Sequence, residues 1–367
     1  MFKKINSNSF IKEDDENYAV LRGINNQEFL EVSASDNYRL GRLQGKFVER
    51  KVREFKDILK LFSLRYPKFP YELLIEVAQT YQKFIPRHLI SEMEGMADSI
   101  KRISFEDILL QNCFFDILYG KLIPMDTEHP ILHSYHLGCT SFGIIGNNTI
   151  VSGQNFDFSV IFKPTLYFSL LKMPGKPNIF SLRMGSVFSV PSGINSFGLS
   201  IFINVVKSYA KGKISIPITA RTRLIMESSK DVDSFYQYHK SVKNTASYNL
   251  IVSDGKKLIA LENLPEEHTK VDVRDYVVRS NTFISEKYQK YLINKEYSKN
   301  RQIYAEKKLR ELYNSKNISD EALLSILADY PIICRINHLK PMTLAFLTRK
   351  YFGLGNAKNN PIGTIII

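Results

Sequence analysis

From Leu43 onward the apolar residues Leu43, Phe47, Val48, Val52, Phe55, Ile58, Leu59 and Phe62 recur at the three- and four-residue spacing of one helix face. A second helix is expected from Pro70, a residue suited to a first turn, with Leu73, Leu74, Val77 and Tyr81 as its apolar stripe. A third is expected around His88 to Ile100. The fourth starts at Ser104, where Asp107 three residues on makes a capping-box variant, and runs towards Tyr119. The chain up to about residue 120 therefore reads as largely helical. Lys121 to Leu137, with Pro124, Asp126 and Pro130, reads as a linker.

Beyond the linker the pattern changes to strands with turn punctuation. Thr140 to Ile145 is apolar-rich, Gly146-Asn147-Asn148 can turn, and Thr149 to Gly153 returns, which predicts a hairpin. Further hairpins are expected where Thr165 to Met173 and Asn178 to Met184 flank Pro174-Gly175-Lys176-Pro177, and where Tyr248 to Ser253 and Lys257 to Glu262 flank Asp254-Gly255. Helices interrupt at Pro217 to Ser229 and Val232 to Val242, then at Glu286 to Tyr313 and Ser319 to Ala328. Closing strands are expected at Met342 to Arg349 and Gly363 to Ile367. This order fits an α+β fold with two antiparallel sheets packed face to face and helices outside.

Composition supports an ordinary globular class, since 44% hydrophobic and 24% charged residues in 367 can build a sizeable core. No apolar run approaches the roughly 18 residues of a membrane span. The start, MFKKINSNSFIKEDDEN, lacks the apolar centre of a secretory signal, so a cytoplasmic location is expected. A net charge of +13 raises the question of nucleic acid. The basic residues of Lys46 to Lys60 and Lys287 to Arg310 alternate with acids, however, as on solvated helix faces, and no nucleic-acid motif accompanies them. Three cysteines, Cys113, Cys139 and Cys334, make no disulfide framework.

Candidate chemistry centres on Cys139. It stands at the start of a predicted strand, after Gly138, and the hairpin brings Asp157 back towards it, as a nucleophile on a rigid element requires. If the Cys139 thiolate attacks the Gly138 carbonyl, the peptide shifts from nitrogen to sulfur. Water then frees Cys139 as a new N-terminus. Glycine suits the site because it has no Cβ to block attack, and the freed α-amine, with a reference pKa of about 7.7–8.0, can serve as base to its own thiol. The plain alternatives are a small buried hydrophobe for Cys139 and a turn carboxylate for Asp157. His133 and His136 lie in the linker without further ligands at zinc spacing, so no metal is assigned, and no cofactor is implied. There is no phosphate-binding glycine loop and no Gly-x-Ser-x-Gly elbow.

Gly138-Cys139-Thr140-Ser141-Phe142, followed by Gly153-Gln154-Asn155-Phe156-Asp157-Phe158, resembles the acyl-coenzyme A:6-aminopenicillanic acid acyltransferase family of N-terminal-nucleophile hydrolases. The similarity continues through Asn195-Ser196-Phe197-Gly198-Leu199 to Asn204, Pro217 to Ser228, Ala246 to Glu262 and Tyr330-Pro331 to Cys334-Arg335, and reaches upstream to Tyr38 to Gly45 and Glu94-Gly95. The resemblance implies a four-layer αββα sandwich preceded by a helical N-terminal segment. It implies cleavage between Gly138 and Cys139 into a 1–138 segment and a 139–367 catalytic region that together form one unit. Its site would comprise Cys139, Asp157, Asn281 as oxyanion donor and Arg335 as partner of Asp157 or of the thiolate, with Asn155 and Asn204 as further oxyanion or substrate candidates. Arg279 and Thr282 stand where the family often has histidines, so substrate contacts should differ. Asn281 could instead end a strand, and Arg335 could lie on the surface.

The implied activity is hydrolysis of a linear N-acyl amide through a thioester on Cys139, with a small-molecule acyl amide or acyl thioester as partner and neither nucleic acid nor membrane. One alternative is an acyltransferase moving an acyl group from coenzyme A or a carrier protein to an amine. A second is a non-catalytic binding or structural protein of the same fold.

Overall fold

The helical spacing from Leu43 becomes the helix Asn37–Arg65, capped by Asp36, whose side chain accepts from Arg39 N at 2.8 Å. In the computed structural model residues 3–4, 10–24, 27–127, 132–134, 138–146, 149–189, 192–294, 296–329, 332–333 and 343–351 are described, the last stretch as backbone. They form two compact units. The first unit comprises 1–117, 161–193 and 214–228, and the second 118–160, 194–213 and 229–367. None of the points where the chain passes between them falls at residue 138.

In the first unit, the helices Tyr71–Gln82, Arg87–Ser99 and Phe105–Ile117 follow as the pattern predicts. Ser104 and Asp107 do form the capping box, Ser104 N donating to Asp107 Oδ2 at 2.8 Å and Asp107 N to Ser104 Oγ at 3.3 Å. Glycines set the spacing between Asn37–Arg65 and Arg87–Ser99. A Cβ on Gly41 would lie 1.9 Å from Glu92 O, and one on Gly95 would lie 2.0 Å from Tyr38 O. Buried charges cross the same packing: Glu92 accepts from Arg223 Nη2 at 3.0 Å, and Arg223 Nε donates to Glu227 at 2.8 Å.

This largely helical region also carries strands that the pattern did not show. Strands Tyr18–Ile24 and Gln27–Ser33 pair antiparallel before the first long helix, and Gln27–Ser33 then pairs parallel with Leu166–Lys172, Phe29 facing Phe168. A strand this short becomes stable through a partner more than a hundred residues away, which no local pattern shows. Leu166–Lys172 and Ile179–Met184 form the expected hairpin.

The second unit has the layered architecture. Strands Tyr276–Arg279, Gly138–Gly146, Thr149–Asp157 and Thr343–Tyr351 form one antiparallel sheet in that order. Ser200–Val205, Tyr248–Ser253, Leu258–Asn263 and His268–Val273 pair antiparallel in turn. The two sets face each other through buried polar bonds: Ser152 Oγ meets Ser253 Oγ at 3.0 Å, and Gln154 Nε2 donates to Ile203 O at 2.8 Å. Helices Glu296–Ser315 and Asp320–Leu327 cover the outer face of the first sheet, joining Ala305, Leu309, Leu323 and Leu327 to Phe142, Ile144, Val151 and Val278. On the far side, helix Val232–Lys240 is fixed by an Asp231–Ser234 capping box and by His239 Nε2 to Asn263 Oδ1 at 2.7 Å. Helix, sheet, sheet and helix follow in that order, as the α+β reading requires.

Two stretches differ locally from the pattern. The linker carries short helical turns at Leu118–Leu122, Ile123–Met125 and Leu132–Ser134. The charged segment after Glu286 is broken into Glu286–Gln289 and Glu296–Ser315. The expected strand at Gly363 to Ile367 lies outside the described residues. Among the described residues no helix is long and apolar enough to cross a membrane.

Candidate active site

Strand Gly138–Gly146 pairs with Thr149–Asp157 so that Gly138 faces Asp157 and Cys139 faces Phe156. Strand alternation places Cys139 with Ser141 on the inter-sheet side and Thr140 with Asn155 on the helix side. Gly138 lies where a side chain would crowd the site: a Cβ there would be 3.2 Å from Asp157 Oδ2 and 3.5 Å from Arg301 Cζ. Absence of a Cβ thus lets the carboxylate and the guanidinium close on the Gly138–Cys139 peptide.

Cys139 is only 2% exposed. Its backbone nitrogen donates to Asn281 Oδ1 at 2.6 Å, and its carbonyl oxygen accepts from Arg301 Nη1 at 2.6 Å. Burial pushes the thiol up to about 12. The Arg301 charge and hydrogen bonds from Asn281 and from the Asp157 backbone oppose that rise, while the Asp157 charge adds to it. The thiol of the intact chain is therefore neutral near pH 7 and needs a base before it can attack.

Arg301 joins these groups and was not among the residues expected. It projects from helix Glu296–Ser315, is fully buried, and donates to Cys139 O, to Thr140 Oγ1 at 2.9 Å, to Asn281 Oδ1 at 2.7 Å and to Ser298 Oγ at 3.2 Å. The planar fork of arginine suits several fixed acceptors at once. One sequence signal could have found it, because Ser298, Arg301, Gln302, Ala305 and Leu309 recur at helical spacing and all are buried. Gln302 and Ser298 hold that helix to the neighbouring strand, Gln302 Nε2 donating to Val278 O at 2.9 Å and Ser280 Oγ to Ser298 O at 2.8 Å.

The orientation of Asn281 follows from its partners. Cys139 N and Arg301 Nη2 are both donors, so the amide oxygen must face them, and Nδ2 donates to Val205 O at 2.7 Å. In the intact chain Asn281 thus holds the cysteine nitrogen as an acceptor, a contact the expected oxyanion role did not include. A small recess, open to solvent, lies beside it, with Val205, Lys207, Tyr297 and Ser298 in its wall.

The remaining candidates separate. Asn204 is fully buried; Nδ2 donates to Ser141 Oγ at 2.5 Å and to Arg279 O at 3.1 Å, while Oδ1 accepts from Gln154. Its donors serve the join between sheets. Asn155 faces the helix layer and donates to Leu327 O at 2.7 Å, away from the thiol. Arg335 and His136 lie outside the described residues. His133 Nε2 is 2.9 Å from Ile123 O.

Cys139 thus stands at a strand start with its nitrogen held by the half-buried Asn281 and its carbonyl by the buried Arg301. The acyl-coenzyme A:6-aminopenicillanic acid acyl-transferase family matches residues 145–340, more than half of the chain, and the chain belongs to that family. An uncharacterized protein of Archaeoglobus fulgidus is 24% identical over 239 residues, which is 60% of this chain and 39% of that relative, so the match spans well under half of the relative's length. Among solved structures, the Caenorhabditis elegans ortholog of N-acylethanolamine-hydrolyzing acid amidase has a TM-score of 0.47 at 18% identity, covering 62% of this chain and all of that one. A mutant of conjugated bile acid hydrolase from Clostridium perfringens has a TM-score of 0.42 at 11% identity, covering 58% of this chain and 89% of that one.

Proposed function

We propose that the chain cleaves itself before Cys139 and then hydrolyses a linear N-acyl amide as an N-terminal-cysteine amidohydrolase. The observation that carries this reading is the bond from Cys139 N to Asn281 Oδ1, because that nitrogen is the atom cleavage would turn into the catalytic base. Asp157, whose charge acts on the Cys139 thiol at the strand ends, is the base we assign to the first step. It takes the thiol proton, Sγ bonds to the Gly138 carbonyl carbon, and the bond to the Cys139 nitrogen breaks as that nitrogen gains a proton. Water then cleaves the thioester, leaving a Gly138 carboxylate and a free amine and thiol on Cys139.

In turnover the α-amine takes the thiol proton and Sγ attacks the substrate carbonyl. One Nδ2 hydrogen of Asn281 is held by Val205 O, and the other is the donor we assign to the oxyanion. The amine returns the proton to the departing nitrogen, and water releases the acid from the thioester. Arg301 positions Asn281 and the Cys139 carbonyl through both steps.

The family's description as an acyl-transferase favours a second reading, in which an amine intercepts the thioester. Acyl donors supplied with and without a panel of amines, with products followed by mass spectrometry, separate the two. Free acid as the main product throughout supports hydrolysis, whereas abundant new amide with little acid assigns transfer.

A further inference from the structure

Lys207 and Asn294 belong to segments tied backbone to backbone, Ile293 N donating to Lys207 O at 3.1 Å and Ser208 bridging Leu292. Both line the recess beside Asn281. Both side chains also converge on one carbonyl: Lys207 Nζ donates to His133 O at 2.9 Å and Asn294 Nδ2 donates to it at 2.8 Å, with Leu132 O 3.5 Å from the same ammonium. Asn294 holds this position at φ 49°, in the left-handed region that few residues other than glycine adopt and that asparagine tolerates best. Leu132 and His133 lie just upstream of the Gly138–Cys139 bond. The groups that grip the chain before the bond to be cut thus also wall the recess beside Asn281, which holds the Cys139 nitrogen.

Cleavage before Cys139 would turn the gripped segment into a free chain end, and its withdrawal would leave an ammonium and an amide N–H aimed at one point. A carboxylate satisfies both donors and makes the bond to Lys207 fully charge-assisted, roughly twice as strong as a neutral hydrogen bond. We propose that Lys207 and Asn294 form a carboxylate subsite, occupied by the upstream segment before cleavage and by substrate afterwards. The preferred substrate is accordingly an amide with a carboxylate a few bonds from the scissile carbonyl. This rests on the cleavage and hydrolysis proposed above. The carboxylate can come from the amine half, as in an N-acyl amino acid, or from the acyl half, as in the half-amide of a dicarboxylic acid.

The test uses cleaved wild-type enzyme with N-octanoylglycine and the mono-ethylamide of adipic acid, each against a neutral N-acyl ethylamine of equal chain length. One of the two carboxylates should exceed its neutral partner about tenfold or more in kcat/KM, chiefly through KM, and which one does so names the half that carries it. In cleaved Lys207→Met, which keeps the aliphatic stem, the carboxylate amide should fall to the kcat/KM of its neutral partner. Asn294→Gly, which removes the amide and adopts the same left-handed backbone at an exposed position, should reduce the preference and serves if the lysine variant does not fold. Equal rates for charged and neutral amides, or a preference that survives both substitutions, overturns the subsite while leaving hydrolysis intact. If cleaved enzyme turns over none of these amides, calorimetry with their thioether analogues decides: tighter carboxylate binding lost in Lys207→Met keeps the subsite and rejects hydrolysis, and equal binding rejects both. A chain that stays full length overturns the subsite together with the reading it rests on.

Discussion

Arg301 and Asn281 show how one buried cation can order the backbone at Cys139. The guanidinium holds the Cys139 carbonyl and the Asn281 oxygen at once, and Asn281 in turn holds the Cys139 nitrogen. Lysine would keep the charge but could not span these acceptors with a rigid fork. Arg301→Lys should therefore slow cleavage about tenfold to a hundredfold, the cost of one or two charge-assisted bonds, with an unchanged far-ultraviolet spectrum. Cleavage at the wild-type rate would remove Arg301 from the machinery. At this scale the sequence was only partly legible. Gly138, Cys139 and Asp157 could be read because they sit on one hairpin, where pairing is local. Arg301 could not be assigned because a charged residue in a Lys- and Glu-rich helix looks like a solvated face, and its burial depends on a sheet built from distant strands.

Among the elements, helix Ile218–Ser228 depends on buried charge. Burial alone would raise the Glu227 pKa, but Arg223, His88 and Lys176 outweigh it and hold the carboxyl at about 2. A folded-state value below the ordinary one means that the stabilisation is complete above the unfolded pKa and is lost as pH falls towards the folded one. Between about pH 6 and about pH 3, urea unfolding should show wild type losing about 2 kcal/mol more than Glu227→Gln, from a total near 3 kcal/mol. Parallel losses in the two proteins would assign the acid sensitivity elsewhere. The long amphipathic helices and the Ser104–Asp107 cap were legible because their signals lie within a turn or two. The strand Gln27–Ser33 was not, since its stability comes from Phe168 and its neighbours far along the chain.

For the whole molecule, the order of strands and helices was enough to predict two facing sheets between helices, because each amphipathic face must be covered. The polar layer between those sheets could not be read. Gln154, Asn204, Asn249 and Ser253 look like surface residues in the sequence, yet they bond across a buried join. That join fixes the strand on which Cys139 stands, and the central claim is that this rigidity serves cleavage of the peptide before it. Intact mass spectrometry of fresh and aged protein tests the claim most directly. Wild type should separate into pieces of residues 1–138 and 139–367, and Cys139→Ala should stay whole. A full-length mass for aged wild type, or the same two pieces from Cys139→Ala, would contradict it.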